Sequence, residues 1–408
     1  MKLNYKRTIY IGMAFLGISA FWQLYDVIIP LILENQFELD KTWTGFVMSL
    51  DNILSLFLLP FFGAISDRIN CKHGRRVPFV FVGTVLSILG LLLLPYATNH
   101  DSFWLFNLGL GIALLAMSIS RAPAVALMPD LTPKELRSKA NAVINLMGAV
   151  GAIFALLAIR LLVGKSDKPD YTAAFLAVAF ILLVSFAILR WKINENKMRV
   201  EEVAVEMAEQ ISQDLPREVK GSLFFLLGSI FLWFMAYNGI TTAFSRYAIA
   251  VWNMSAGEVA TALMVATIVA IVSYMPSGFV GTVLGRKKAI LIGICLVSTT
   301  YGLGSIFTSF SPLVYLSFAI MGIGWAFINV NSLPMMVEMS QTSDVGKFTG
   351  MYYTASMAAQ IVTPILSGFL MQSLGFGILF PYALVFSLLS FVTMSLVRHG
   401  DSLFDKER

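Results

Sequence analysis

Charge is what this sequence has least of. Only 13% of its 408 residues are Asp, Glu, Lys or Arg, about half the ~25% of an ordinary soluble domain. A soluble fold of this length needs a polar surface over most of its chain, and a composition that is 57% hydrophobic cannot supply one. A soluble enzyme is excluded. The two cysteines, Cys71 and Cys295, make no disulfide framework and no metal site. The three histidines, His73, His100 and His399, fall in loops or near segment ends, which excludes a histidine proton relay. With no paired catalytic carboxylates and no G-x-S-x-G motif, an intramembrane enzyme has no machinery either. No G-x-x-x-x-G-K-[ST] loop occurs, so ATP-driven work by this chain alone is excluded. The net charge of +5 is modest and its basic residues lie between apolar runs rather than along one face, which argues against nucleic acid. No cofactor is expected.

What is present is a series of long apolar runs. A helix needs about 20 apolar residues to cross ~30 Å of hydrocarbon. Twelve segments qualify, at about 9–33, 43–66, 77–97, 103–128, 140–163, 171–191, 220–243, 257–283, 288–308, 311–338, 347–372 and 376–397. They are twice the length of barrel strands and do not alternate. The first follows Lys6 and Arg7, is too long for the core of a signal peptide and holds Trp22 and Asp26, so it reads as a retained span. With the N-terminus in the cytoplasm, 23 of the 29 basic residues fall on the cytoplasmic side, which places both termini there. The expected fold is an all-α integral membrane protein of twelve transmembrane helices in two six-helix bundles, 1–191 and 220–408. Between them, 192–219 reads as a cytoplasmic linker, with Val200, Val203, Met207 and Ile211 at the spacing of an amphipathic helix. Trp43, Trp104, Trp191 and Trp252, near span ends, read as interface anchors.

The two halves share a pattern. Spans two and three are joined through Gly63, Asp67 and Arg68, then Gly74, Arg75 and Arg76. Spans eight and nine are joined through Gly278 and Thr282, then Gly285, Arg286, Lys287 and Lys288. Matching places in two six-span halves are what an internal repeat produces. Thr282 stands where the first copy has Asp67, so the second charge network is expected to be the weaker.

With G-x-x-x-D-R followed closely by G-R-R, the chain resembles the major facilitator superfamily. The longer interval between Arg68 and Gly74 resembles the branch of sucrose transporters and glycoside symporters. So do Arg121-Ala-Pro123, the stretch from Asp130 to Arg137, Tyr237-Asn238, and the run from Gly322 through Trp325, Asn329 and Asn331 to Pro334. The resemblance implies a secondary active transporter working by alternating access. The function it implies is symport of a proton with a disaccharide or other glycoside, in a bacterial inner membrane, by a monomer whose partners are its substrate, its ion and the bilayer. It also implies a cytoplasmic gating motif of Gly63, Asp67, Arg68, Gly74, Arg75, Arg76, Asp130 and Arg137. Two spans depart from the resembled family: Leu114 in span four stands where plant sucrose carriers have an acid, and Thr241 and Thr242 in span seven stand where many relatives have one. Sodium coupling, plain facilitation and proton-driven antiport of a non-sugar therefore stay open, with a non-transporting receptor as a remote alternative.

Ionisable groups within spans are costly and read as functional by default. Asp26 lies roughly 25 Å up span one at 1.5 Å per residue. Asp51 lies at similar depth in span two, and Arg121 deeper in span four. These three are the coupling candidates; fixed polar contacts, a gating role for Asp51, or snorkelling of Arg121 are the alternatives. Sugar recognition combines hydrogen-bonding side chains with flat apolar surfaces. Trp22, Gln23, Tyr25, Asn145, Tyr237, Asn238, Trp325, Asn329, Asn331 and Gln360 are the substrate-binding candidates, and an amide pair such as Asn329 and Asn331 can equally join helices.

Overall fold

The computed structural model describes residues 3–69, 71–72, 74–133, 136–164, 169–198, 217–339 and 345–401. The amphipathic pattern of 200–211 and His73 lie outside the described residues. The chain is helical: α1 Tyr5–Asn35, α2 Lys41–Arg68, α3 Val77–Asn99, α4 Phe103–Leu131, α5 Arg137–Leu162, α6 Thr172–Lys192, the single turn α7 Glu195–Met198, α8 Arg217–Trp252, α9 Ala256–Leu284, α10 Arg286–Ile306, α11 Leu313–Glu338, α12 Val345–Leu374 and α13 Leu379–Leu396. Twelve of these, all but α7, are long and apolar enough to cross a membrane.

Their outer faces are apolar. Phe57, Phe180, Met275 and Phe279 are exposed, an arrangement stable in hydrocarbon and costly in water. The interior packs large apolar side chains such as Phe21, Phe106 and Trp233 among small and hydroxyl residues. Ser87, Ser185, Ser387 and Ser390 are buried, and hydroxyls such as Ser118 donate to the carbonyl one turn back, Leu114 at 3.0 Å. Hydrocarbon gives no hydrophobic drive to bring helices together, so close packing must do it. Gly151 shows how close: a Cβ there would sit 2.0 Å from the Leu16 carbonyl oxygen, where α5 crosses α1.

The chain divides into two compact units. Unit 1 is Met1–Leu39, Leu50–Val203 and Ser255–Met264; unit 2 is Asp40–Ser49, Ala204–Met254 and Val265–Arg408. In unit 1, α1 packs on α5 and α6, and α3 on α4 and α6. In unit 2, α8 packs on α12 and α13, and α10 on α11 and α13. The same scheme is made twice. At one end of unit 1, Ile11, Val77, Val80, Leu127, Leu131, Leu189 and Ile193 form a buried cluster beneath the α2–α3 loop. In unit 2, the first turns of α2 seat on α12: the Lys41 N–H donates to Gln372 Oε1 at 3.1 Å, and its ammonium lies 4.0 Å from the centroid of Phe376.

Two features differ from the expectation. The seventh span does not stop near 243; α8 continues to Trp252, carrying Arg246 into buried surroundings. Its last turns are held by aromatic packing, Phe244 on Phe318 at 4.5 Å and Trp252 on Phe380 at 5.6 Å. Trp252 is consequently no exposed anchor. It is 4% exposed, and its indole N–H donates to the Phe307 carbonyl at 2.8 Å, just past the end of α10. Trp43, Trp104 and Trp191 are exposed.

Candidate functional site

In unit 1, three helices bring charge together. One stretch of α1 carries Trp22, Gln23, Tyr25 and Asp26; α2 supplies Asp51 and α4 supplies Arg121. The Arg121 guanidinium carbon lies 5.7 Å from the Trp22 ring centroid, within the ~6 Å over which a ring quadrupole attracts a cation. Trp22 meets Tyr25 edge-on at 5.4 Å. Asp51 accepts from the Asn52 amide at 2.7 Å. Asp51 interacts electrostatically with Arg121 and with Asp26, and Tyr25 lies in the field of both carboxylates. Asp26, Asp51 and Arg121 are each half-buried. The Trp22 indole N–H is buried without a hydrogen-bond partner among the described residues. The cluster thus holds two carboxylates, one guanidinium, an aromatic face and an unused donor. Gln23 is half-buried nearby on α1, and Asn145, on α5, is exposed.

In unit 2, the feature is aromatic. Tyr237 of α8 lies flat on Trp325 of α11, centroids 3.6 Å apart and planes within 7°. Phe234 meets Trp325 edge-on at 5.4 Å, and Tyr352 at 6.4 Å. The Tyr352 hydroxyl is 3.0 Å from Ser332 Oγ. The Asn238 side-chain amide nitrogen is buried without a partner among the described residues, while its backbone carbonyl accepts from Thr242 Oγ1 at 2.7 Å. The two α11 amides differ. Asn331 is buried, and its Nδ2 donates to the Ser277 carbonyl at 3.3 Å and the Phe327 carbonyl at 2.9 Å, tying α11 to α9. Asn329 is exposed. Gln360 Nε2 donates to the Ser356 carbonyl in its own helix at 3.3 Å. One face of Trp325 is therefore occupied by Tyr237, and the Asn331 amide is committed to helix packing.

The α2–α3 loop forms the third cluster. Arg76 is 4% exposed and its guanidinium is surrounded by acceptors. Its Nε donates to Asp130 Oδ2 at 2.9 Å, and its terminal nitrogens reach Asp67 and Ser66. Arg75 pairs with Asp130 at 2.9 Å. Arg76 also reaches the Gly63 carbonyl at 3.4 Å. A buried guanidinium presents five N–H donors, and this set meets most of them. Arg137 turns elsewhere, donating to the Pro129 carbonyl at 2.9 Å and the Thr132 carbonyl at 3.2 Å, which the end of α4 leaves unpaired. Arg68 is exposed. In unit 2, Arg286 pairs with Glu338 at 2.6 Å, and the Thr282 hydroxyl donates to its own helix at the Phe279 carbonyl.

The sequence reading missed Glu195 and Asp401. Each is 2% exposed and hydrogen-bonded to backbone N–H groups at the start of α3 or α10. The only signal was position: each is an acid a few residues beyond the last span of its half.

The profile of the Major Facilitator Superfamily matches residues 11–273 and 226–404. "Sucrose transport protein SUC3" of Arabidopsis thaliana is 27% identical over 157 residues, 34% of this chain and 26% of that protein. "Probable nitrate transporter NarT" of Staphylococcus epidermidis is 25% identical over 200 residues, 49% of each. The match spans about a quarter of the first relative and about half of the second. Among solved structures, the nucleoside transporter NupG superposes with a TM-score of 0.71 at 14% identity, covering 96% of this chain and 100% of that one. A bacterial homologue of the iron transporter ferroportin, in an inward-facing state, gives 0.69 at 14% identity, covering 97% and 99%. At such identity these likenesses speak for the fold alone. The chain belongs to the Major Facilitator Superfamily.

Proposed function

We propose that this chain is a secondary transporter that moves a neutral sugar, a disaccharide or other glycoside, across the bilayer together with a proton. The observation that carries the reading is the Asp26–Asp51–Arg121 cluster beside Trp22. With both carboxylates ionised the set has a net charge of −1; one bound proton makes it neutral. A neutral set is the cheapest to carry through a low-dielectric passage. Proton binding then favours the conformational change, and proton release on the other side resets it. The remaining carboxylate accepts sugar hydroxyls, the guanidinium donates to them, and the indole offers a flat apolar surface with its unused N–H. A proton moving inward through ~100 mV contributes ~2.3 kcal/mol, roughly fifty-fold accumulation at one proton per sugar. The partial match to a sucrose transport protein supports the substrate class. We place the protein in a bacterial inner membrane, with its termini in the cytoplasm.

A second reading has one observation in its favour. Arg121 is a half-buried cation inside a span, and a relative named as a nitrate transporter matches about half of the chain. On that reading the guanidinium holds a small anion and the acids release it. Purified protein in sealed liposomes, with an internal pH dye, separates the two. Sucrose, maltose, lactose and nitrate are added in turn, with Asp26→Asn alongside. Internal acidification with a disaccharide, lost in the variant, supports the proposal. Acidification with nitrate alone replaces it by the anion reading. Labelled sugar entering without acidification leaves sodium coupling or facilitation.

A further inference from the structure

We infer that Glu195 and Asp401 are a matched pair of positioning residues, one in each unit, that pin the start of the third helix of that unit to the chain just past its sixth. The first turn of a helix leaves its N–H groups without helical acceptors. A side chain at the cap ordinarily supplies one. At α3 and α10 the capping residues, Arg76 and Gly285, make no side-chain hydrogen bond to the turn. An acid from far along the chain does so instead. Glu195 accepts from the N–H of Arg75 at 2.9 Å, of Arg76 at 3.0 and 2.9 Å, and of Val77 at 3.0 Å. Asp401 accepts from the N–H of Arg286 at 3.2 Å and of Lys287 at 3.3 Å.

The match extends to the turn. Gly74 and Gly285 both have positive φ, +102° and +93°, which side chains disfavour. A Cβ on Gly74 would stand 2.1 Å from Glu195 Oε2, and one on Gly285 would stand 2.6 Å from Asp401 Oδ2. Each glycine is required by its backbone and again by the carboxylate it faces. Further ties close each clamp. Asn196 Nδ2 donates to the carbonyls of Cys71 at 3.1 Å and Lys72 at 3.2 Å, and the Cys71 thiol donates to the Gly74 carbonyl at 2.9 Å. In unit 2, Lys287 Nζ donates to the carbonyls of Ser395 at 2.7 Å and Val397 at 2.6 Å.

The clamp sets where the arginines point. Arg75 and Arg76 reach Asp130 and Asp67 only because the backbone that carries them is fixed, and Glu195 fixes it. Asp401 does the same for Arg286 and its partner Glu338. Both acids combine charge-assisted hydrogen bonds with the positive end of a helix dipole. Glu195 spans three N–H groups and Asp401 two, so the first clamp is the tighter. None of this depends on the identity of the substrate.

Hydrogen–deuterium exchange on the purified full-length protein tests the inference at the bonds themselves. Glu195→Gln should speed exchange at least tenfold in peptides covering 74–80 and leave 285–291 unchanged. Asp401→Asn should do the reverse. Glu195→Asp, which keeps the charge, should restore most of the protection. In a Cys295→Ser background Cys71 is the one thiol left, and its labelling by a maleimide should rise several-fold with Glu195→Gln and stay unchanged with Asp401→Asn. Faster exchange at both loops in either variant would reduce the acids to general stabilisers and overturn the inference. Unaltered exchange at each loop in its own variant would overturn it too. Should Glu195→Gln not fold, Asp401→Asn and Glu195→Asp carry the same comparison.

Discussion

Arg121 sits where its three attractions have different geometric demands. Coulomb attraction to Asp51 needs only charge, which lysine keeps. A cation over Trp22 can also be an ammonium, but the fork of donors needs a planar guanidinium, which lysine lacks. If the proposed proton–sugar symport holds, Arg121→Lys raises the KM for the sugar about tenfold while uptake remains proton-driven, measured as initial rates in proteoliposomes. Asp26→Asn and Asp51→Asn should each lower proton-driven accumulation more than tenfold. Sugar-for-sugar exchange, which needs no net proton movement, survives in the variant whose acid serves coupling alone. Loss of exchange in both variants would assign both acids to sugar binding. At this scale the sequence was informative where a charge interrupts an apolar run, as at Asp26, Asp51 and Arg121. It was mute where two like residues part ways. Asn329 and Asn331 lie two positions apart, about 200° around a helix, and only the second is buried.

Among elements, the α9–α11 contact shows what decides the fit of two helices in hydrocarbon. Asn331 is ordered by two carbonyls and lies against Gly281, where a Cβ would stand 1.8 Å from its Oδ1. Gly278, one turn earlier, has only Val330 Cγ1 at 3.5 Å, an ordinary contact. Gly281→Ala is expected to lower the melting temperature by about 5 °C or more in detergent, through overpacking of the kind that costs ~1–3 kcal/mol. Gly278→Ala should leave it within about 2 °C. Equal losses would mean that helix propensity rather than fit governs both sites. The spans themselves were legible because length and apolarity suffice to define them. The end of α8 was not, because Phe244 and Trp252 find their partners on α11 and at the start of α13, at Phe318 and Phe380, far away in sequence. Glu195 and Asp401 escaped for the same reason: a carboxylate in a polar stretch carries no mark of the distant N–H groups it serves.

At the scale of the whole molecule, the two units hold their basic loops with different sets of acids. Unit 1 joins Arg75 and Arg76 to Asp130 and Asp67, with Glu195 behind them. Unit 2 sets Arg286 on Glu338, with Thr282 in place of the second acid. Arg76→Ala removes a buried guanidinium and leaves exposed Asp67 without its cation and half-buried Asp130 with Arg75 alone. It should cut maximal uptake at least tenfold with little change in KM, and more than Arg286→Ala does, both normalised to protein in the membrane. The reverse order would place the main restraint in unit 2. That twelve spans form two like halves was readable from the loop motifs. The matching of α1 with α8, and of α3 with α10, in what each packs against needed coordinates.

That repetition gives the protein its own calibration. Gly74 and Gly285, Glu195 and Asp401, and Arg75 and Arg286 occupy equivalent places in a single polypeptide. Each pair shares one expression level, one lipid environment and one insertion history. Two paired variants, each normalised to protein in the membrane, therefore differ only in which copy of the same contact has been lost.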